Sequence, residues 1–366
     1  MHNGGPDVTD GSRAASGPCF MTHHPMRPAT RGALAIAILT TAMACSGPYV
    51  PPPIGTVPGL AGTVIVPNKQ QSTVTFVDVA TGARLGSIPV GPNPHEIALS
   101  RDGTIAVTTA MDGSTLSVID VPTRQVARTI TLGADSLTHG IAFLAGDSLV
   151  AVTSRATRSV VFVNVVSGQV IGSVPTKGGH PHILNAIADG SRLYTTEADS
   201  RTISAFDATQ RTLVNTFTLD QAPEGMAVTP DGTEVWAGTS NFLTGQVIVL
   251  DPSSGAVTSV LKMFGWPYRI HLTPDSRTLL IPDLRRGTLR IVDRASRQEV
   301  GRIRYGGGEP GGLAITPDGR YAFQTLMQQA RVAIIDIAQR QVVGNLHVGD
   351  LPDGIVYTPR VFTSAP

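Results

Sequence analysis

Between Gly62 and Pro359 the apolar residues come in short runs, each ended by a turn signal, and the runs recur as a set. The phrase "ALSRDGTIAVTT" starts at Ala98, "AFLAGDSLVAVT" at Ala142 and "NAIADGSRLYTT" at Asn185. It returns as "AVTPDGTEVWAG" at Ala227, "HLTPDSRTLLIP" at His271 and "AITPDGRYAFQT" at Ala314. Each phrase reads as two strands joined by a tight turn, because Asp and Gly tolerate the positive φ such a hairpin requires. A third apolar run ends in Asp or Asn, at Asp78, Asp120, Asn164, Asp207, Asp251, Asp293 and Asp336, with steps of 42 to 44 residues. The residue leading into each first strand keeps the same step: His95, His139, His182, Glu224, Tyr268, Gly311 and Asp353. Two independent markers on one period establish a repeat array. The absence of 3.6-residue periodicity excludes a helical solenoid.

Each unit holds four strands. In one of them these are "GMAVT" (Gly225–Thr229), "EVWAG" (Glu234–Gly238), "QVIVLD" (Gln246–Asp251) and "AVTSVLK" (Ala256–Lys262). The turn before the fourth strand reads "DVATG", "NVVSG" or "DPSSG", where Asp or Asn bonds its own following backbone and Gly takes a left-handed conformation. Other units carry Arg or Gln in the glycine's place, so this turn is expected to vary. The third strands, such as "VTFVD", "VVFVN" and "VAIID", are apolar almost throughout, which requires cover on both faces. Four-stranded sheets stacked around an axis supply that cover, so the chain reads as an all-β, seven-bladed β-propeller with four antiparallel strands per blade. Its two ends complete one blade. Gly354–Thr358 is a first strand with no unit after it, and Thr63–Val66 is a second strand with no first strand before it. The C-terminal strand is therefore expected to join the N-terminal blade and close the ring.

These phrases resemble the YVTN family of β-propeller repeats, over Gly62 to Pro359. The namesake Tyr-Val-Thr-Asn is replaced here by "AVTT", "AVTS", "YTTE" and "WAGT". The resemblance implies a mostly exported, seven-bladed protein and leaves function open. It also implies a plain role for histidine before the first strand, hydrogen-bonding to neighbouring loop carbonyls.

The N-terminus differs from the array. From Met26, "MRPATRGALAIAILTTAMACSGP" has basic Arg27 and Arg31, a short apolar stretch and the small-residue site Ala42-Met43-Ala44. This is the layout of a secretory signal, too short to span a membrane. Cys45 makes it similar to a bacterial lipoprotein signal, which implies lipidation of that cysteine, and Ser46 implies outer-membrane sorting. The expected organisation is 1–44 upstream extension and signal peptide, with Met26 the better start. A lipidated Cys45 and Pro-rich tether follow over 45–61, then the propeller over 62–359 and a tail over 360–366. That places the protein in the periplasm or at the cell surface, anchored to the outer membrane. The two cysteines, Cys19 and Cys45, make no disulfide framework and no haem-attachment motif. The formal net charge is +1, so bulk charge gives no reason to expect nucleic acid. The expected form is a monomer.

Candidate chemistry lies where successive blades converge. In a propeller the seven residues of the second marker sit at the mouth of the central channel. His95, His139, His182 and Glu224 are candidate ligands for a divalent transition metal, since imidazole and carboxylate suit Zn, Cu, Fe or Ni. His180, Tyr268 and Asp353 are further ligand-binding candidates, and Gly311 is expected to widen one side of the mouth. A polar ring filling a wet channel mouth is the competing reading. "YGGGEPGG" (Tyr305–Gly312) joins no strand to a helix and is not a phosphate cradle. "LRRGTLR" (Leu284–Arg290) reads as a solvated hairpin bearing three arginines, and Phe242 and Trp266 as an exposed apolar patch or as loop anchors. No catalytic triad, G-x-S-x-G or P-loop occurs, and catalytic residues are not assigned. The favoured reading is a non-enzymatic binding or interaction scaffold for a small molecule or protein. The alternative is a metal-dependent exported enzyme, of oxidoreductase or lyase type, centred on the His/Glu ring.

Overall fold

The computed structural model describes residues 55–133, 136–241, 243–306 and 308–362. The signal region, Cys45 and Phe242 lie outside them. The described residues form seven sheets of four antiparallel strands, closed into a ring: an all-β, seven-bladed propeller. Blades are numbered here from the one that holds Thr63. Its strands, from the axis outward, are Val356–Thr358, Thr63–Asn68, Thr73–Asp78 and Arg84–Pro89. The inner strands of blades 2 to 7 are Pro94–Leu99, Thr138–Phe143, Pro181–Ala186, Ala222–Val228, His271–Leu272 and Pro310–Ile315. That of blade 6 is shortest, because Pro267 and Pro282 lack N–H groups and leave only the lone bridge Pro267–Asp283 ahead of it.

Both faces of every sheet are covered. Along blade 1, Val64, Val66 and Val77 pack with Phe323 and Ile334 of blade 7. Ile65, Val74 and Phe76 pack with Ile97, Ala106 and Ile119 of blade 2. Successive side chains alternate between faces, and each face meets a blade, so the strands read as continuous apolar runs. Each of the seven contacts between adjacent blades has its own buried cluster, the one between blades 7 and 1 included.

The seam is the one expected. Val356, Tyr357 and Thr358 pair with Ile65, Val64 and Thr63. Tyr357 stacks on Phe323 of blade 7, with ring centroids 5.0 Å apart, and its hydroxyl donates to Ala61 O at 2.7 Å. Gly55 adds a second clasp through two backbone bonds to Asn345 on the outer strand of blade 7.

The periodic Asp or Asn closes the turn into the outer strand in all seven blades. Its Oδ1 accepts a backbone N–H from Thr81, Thr123, Ser167, Gln210, Ser253, Ser296 or Gln339, each at 2.7 or 2.8 Å. This turn does not vary as expected. Arg124, Arg211, Arg297 and Arg340 take the same left-handed conformation as Gly82, Gly168 and Gly255. The Asx bond fixes the loop, and arginine accepts the unfavourable φ that glycine would take freely. The "LRRGTLR" expectation also needs correction. Arg290 is buried, bonded to Glu299 and stacked 4.2 Å over Phe264, so its guanidinium belongs to the interior of the blade rather than to solvent.

Candidate functional site

The channel mouth is built by a repeated irregularity. Strand pairing lapses at His95-Glu96, His139-Gly140, His182-Ile183, Glu224-Gly225 and Gly311-Gly312, a bulge at the axial end of the inner strand. Bulges re-aim side chains and free backbone groups. Threonines of the second strand collect those groups. Thr109, Thr153 and Thr196 accept the N–H of Glu96, Gly140 and Ile183 at 3.2, 2.7 and 3.1 Å. The same hydroxyls donate to the carbonyls of His139, His182 and Glu224 on the next blade, at 2.8, 2.8 and 3.1 Å. Thr325 likewise donates to Asp353 O at 2.7 Å. Each of these mouth residues is thus clamped by the blade before it.

His95, His139 and His182 form a stack. Ring centroids of the first pair are 4.1 Å apart and of the second 3.8 Å, with tilts of 44° and 38°. Asp353 lies fully buried beside the first imidazole. Its Oδ2 takes His95 Nε2 at 3.0 Å, Lys69 Nζ at 3.1 Å and the Tyr268 hydroxyl at 3.3 Å. At the other end of the stack His182 Nδ1 is 3.5 Å from Glu224 Oε1. The ring therefore unites His95, His139, His182, Glu224, Tyr268 and Asp353. His180 is set apart, half-exposed and paired with Asp199. Gly311 opens no passage, because a Cβ there would stand 2.7 Å from Thr325 Oγ1 and 3.2 Å from Asp353 Oδ1. Trp266 is half-buried and meets Tyr268 edge-on at 6.0 Å, a loop anchor more than a free patch.

A second ring went unread in the sequence. The next residue on each inner strand or its lead-in is Glu96, Gly140, Ile183, Gly225, Arg269, Gly312 and Gly354. The glycines let neighbouring backbones touch: a Cβ on Gly312 or Gly354 would come 2.5 Å from Asp353 O or His95 O. The narrowed bore is crossed by an ion pair from Arg269 of blade 6 to Glu96 of blade 2. Arg269 also lies 3.8 Å from Asp353 Oδ1 and 4.0 Å over the Tyr268 ring. A cavity of about 160 Å³ continues along the bore, lined by both ion-pair residues, His271, Asn185 and apolar side chains.

Burial, then repulsion from the neighbouring imidazoles and Arg269, holds His139 and His182 well below the usual histidine range, so both are neutral. Burial lowers His271 to about 4, helped by Arg269. Burial pushes Glu96 and Asp353 up, but Arg269 and His95, with Lys69 for Asp353, outweigh it and hold both below their ordinary values. Glu224 goes the other way, raised by burial and Asp353 to about 7. A carboxyl raised in the folded state withdraws stability as pH climbs from its unfolded value near 4.5 through 7, a loss of about 3 kcal/mol. Histidines depressed in the folded state withdraw stability as pH falls below 6.5. Glu224→Gln should therefore gain on the wild type by about 3 kcal/mol at about pH 8 and by little at about pH 4.5. Urea unfolding at the two values tests this, and a difference independent of pH refutes it.

No protein-family model matches the chain. The seven-bladed beta-propeller protein Rv1057 of Mycobacterium tuberculosis is 26% identical over 170 residues, 44% of this chain and 42% of that protein. The chain thus matches less than half the length of that relative. Among solved structures, Kuenenia stuttgartiensis hydrazine synthase superposes with a TM-score of 0.62 at 18% identity, over 72% of this chain and 89% of that one. At that identity the likeness shows the fold alone.

Proposed function

We propose that the protein is a binding propeller of the YVTN type, exported and anchored through a lipidated Cys45, that takes a small polar ligand or a partner's side chain at the channel mouth. One observation carries the binding reading: the Nδ1 atoms of His95, His139 and His182 are all buried without a hydrogen-bond partner. Each such atom costs about 1–3 kcal/mol if left unmet. Three of them along one stack are poorly explained by a role in holding the ring together. The threonine clamps and the Asp353 hub already do that. A ligand that satisfies them accounts for the arrangement.

A second reading is supported by the Glu224–His182 pair. A carboxyl near 7 beside a neutral imidazole is suited to exchange a proton at neutral pH, as the metal-dependent enzyme reading would require.

Native mass spectrometry of the full-length chain, expressed in a bacterium and extracted from membranes, tests the first reading. The expected species begins at Cys45, carries lipid, and holds a non-covalent ligand that the His139→Ala/His182→Ala double variant loses. A bare protein whose melting temperature is unmoved by Zn(II), Ni(II), phosphate or citrate overturns the binding reading. An N-terminus upstream of Cys45 overturns the anchor.

A further inference from the structure

We infer that His95, Glu96 and His139 form a binding site for a divalent transition metal ion. The inference rests on the channel-mouth binding reading and names the class of ligand. It also replaces Glu224, the carboxylate expected from the blade register, with Glu96, the neighbour of His95.

The geometry begins with the donor atoms. One donor from each of the three residues lies within 4.8 Å of the other two, and neither His182 nor Glu224 belongs to this group. Two donors held at 2.0–2.2 Å on a tetrahedral ion stand roughly 3.4 Å apart. His95 Nδ1 and Glu96 Oε1 are 3.3 Å apart. That edge is already at the right length, and His139 offers a donor within 4.8 Å of both.

The environment of each donor is that of a ligand. His95 Nε2 faces the Asp353 carboxylate at 3.0 Å, which orients the ring and turns Nδ1 toward Glu96. A carboxylate behind the far nitrogen of a ligating histidine is the usual outer support of a metal site. Arg269 donates to the same Glu96 Oε1, so an ion held there shares that oxygen with the guanidinium. His95 and His139 are only 3% and 1% exposed, and the Nδ1 of each is buried with no partner. A buried ring nitrogen left without a partner next to a carboxylate is a position a cation completes.

The donor set also selects. Two imidazoles and one carboxylate suit Zn(II), Fe(II), Ni(II) or Cu(II), whereas Mg(II) and Ca(II) prefer shells of oxygen. Three protein donors leave at least one position open for water or for the ligand that the mouth binds.

The untagged propeller, stripped with a chelator, is titrated with Co(II) and Zn(II). Roughly one equivalent should bind, and Co(II) should show the visible absorption of a low-coordinate nitrogen–oxygen site. Glu96→Gln and His139→Gln should each weaken binding about tenfold or more, with His180→Ala unchanged as a control. Zinc-edge X-ray absorption on the loaded wild type needs no variant and should show imidazole scattering without sulfur. Binding that both substitutions leave intact, or spectra without imidazole, overturns the site. A wild type that takes no metal yet holds a non-metal ligand by mass overturns the metal and spares the binding reading. A wild type that holds neither overturns both.

Discussion

Deletion of Pro352–Pro366 should abolish cooperative unfolding. The segment contributes the innermost strand of blade 1, whose residues Val356–Thr358 pair with Thr63–Ile65. It also contributes Ile355, buried in the cluster between blades 7 and 1, and Tyr357, which stacks on Phe323. Burying one side chain of this size is worth about 1.5–3 kcal/mol. The backbone pairing and the packing of two blade faces fall with it. The sum approaches the whole stability of an ordinary domain, about 5–15 kcal/mol. Among the described residues the backbone clasp of Gly55 on Asn345 would then be left to hold the seam, so blades 7 and 1 would present open faces and an unpaired edge. Calorimetry and light scattering on the truncated protein should show no sharp transition and early aggregation. Asp353→Asn, in which the strand remains, separates loss of the strand from loss of the buried carboxylate and should still melt cooperatively. A truncated chain that melts like the intact one removes the seam from the account of stability.

The fold was legible because its punctuation is local. An Asp or Asn before each outer strand, and an Asp-Gly between the first two in four blades, meet chemical requirements of the turns, so they recur at a readable step. The one misreading there came from treating glycine as the sole mark of a left-handed residue, when Arg124 and Arg340 adopt that conformation under the same Asx bond. The mouth was legible only in part. Equivalent positions on successive blades must converge, and that brought His95, His139, His182, Glu224, Tyr268 and Asp353 together correctly. His180 was included for nearness in sequence, which the strand bulge at His182 makes a poor guide to nearness in space. Glu96 and Arg269 were missed although they carried a signal: one position beyond the histidines, four blades have glycine and two have opposite charges. What no pattern conveys is distance across the ring. Residues of blades 2 and 6 share no turn and no strand, and only the width of the bore decides that they meet. The threonine clamps were hidden for the same reason, since each bonds two blades at once.

Arg269→Met should be the most damaging single substitution at the mouth. The guanidinium is buried at 4% exposure and answers Glu96, Asp353 and the Tyr268 carbonyl together. Methionine fills much of the same volume but leaves Glu96 and Asp353 in the bore without the guanidinium, Lys69 reaching Asp353. Removing one partner of a buried pair costs about 3–5 kcal/mol, because the other charge remains desolvated and unmatched. Two consequences distinguish this cause from simple loss of packing. Adding Glu96→Gln to Arg269→Met should restore a large part of the lost stability, since a neutral pair of similar size often replaces a buried ion pair without penalty. The deficit should also depend on pH. With Arg269 present, Glu96 and Asp353 are held below their ordinary values, so their contribution is present above the unfolded carboxylate range and fades as pH falls through it. Without Arg269 the carboxylates protonate more readily, and the gap between variant and wild type should narrow from about pH 7 to about pH 4. Urea unfolding of the two variants and the wild type at both values decides the matter. A loss that neither Glu96→Gln nor acid reduces would mean that Arg269 acts by filling space over Tyr268, and that the charge crossing the channel does little to hold the ring closed.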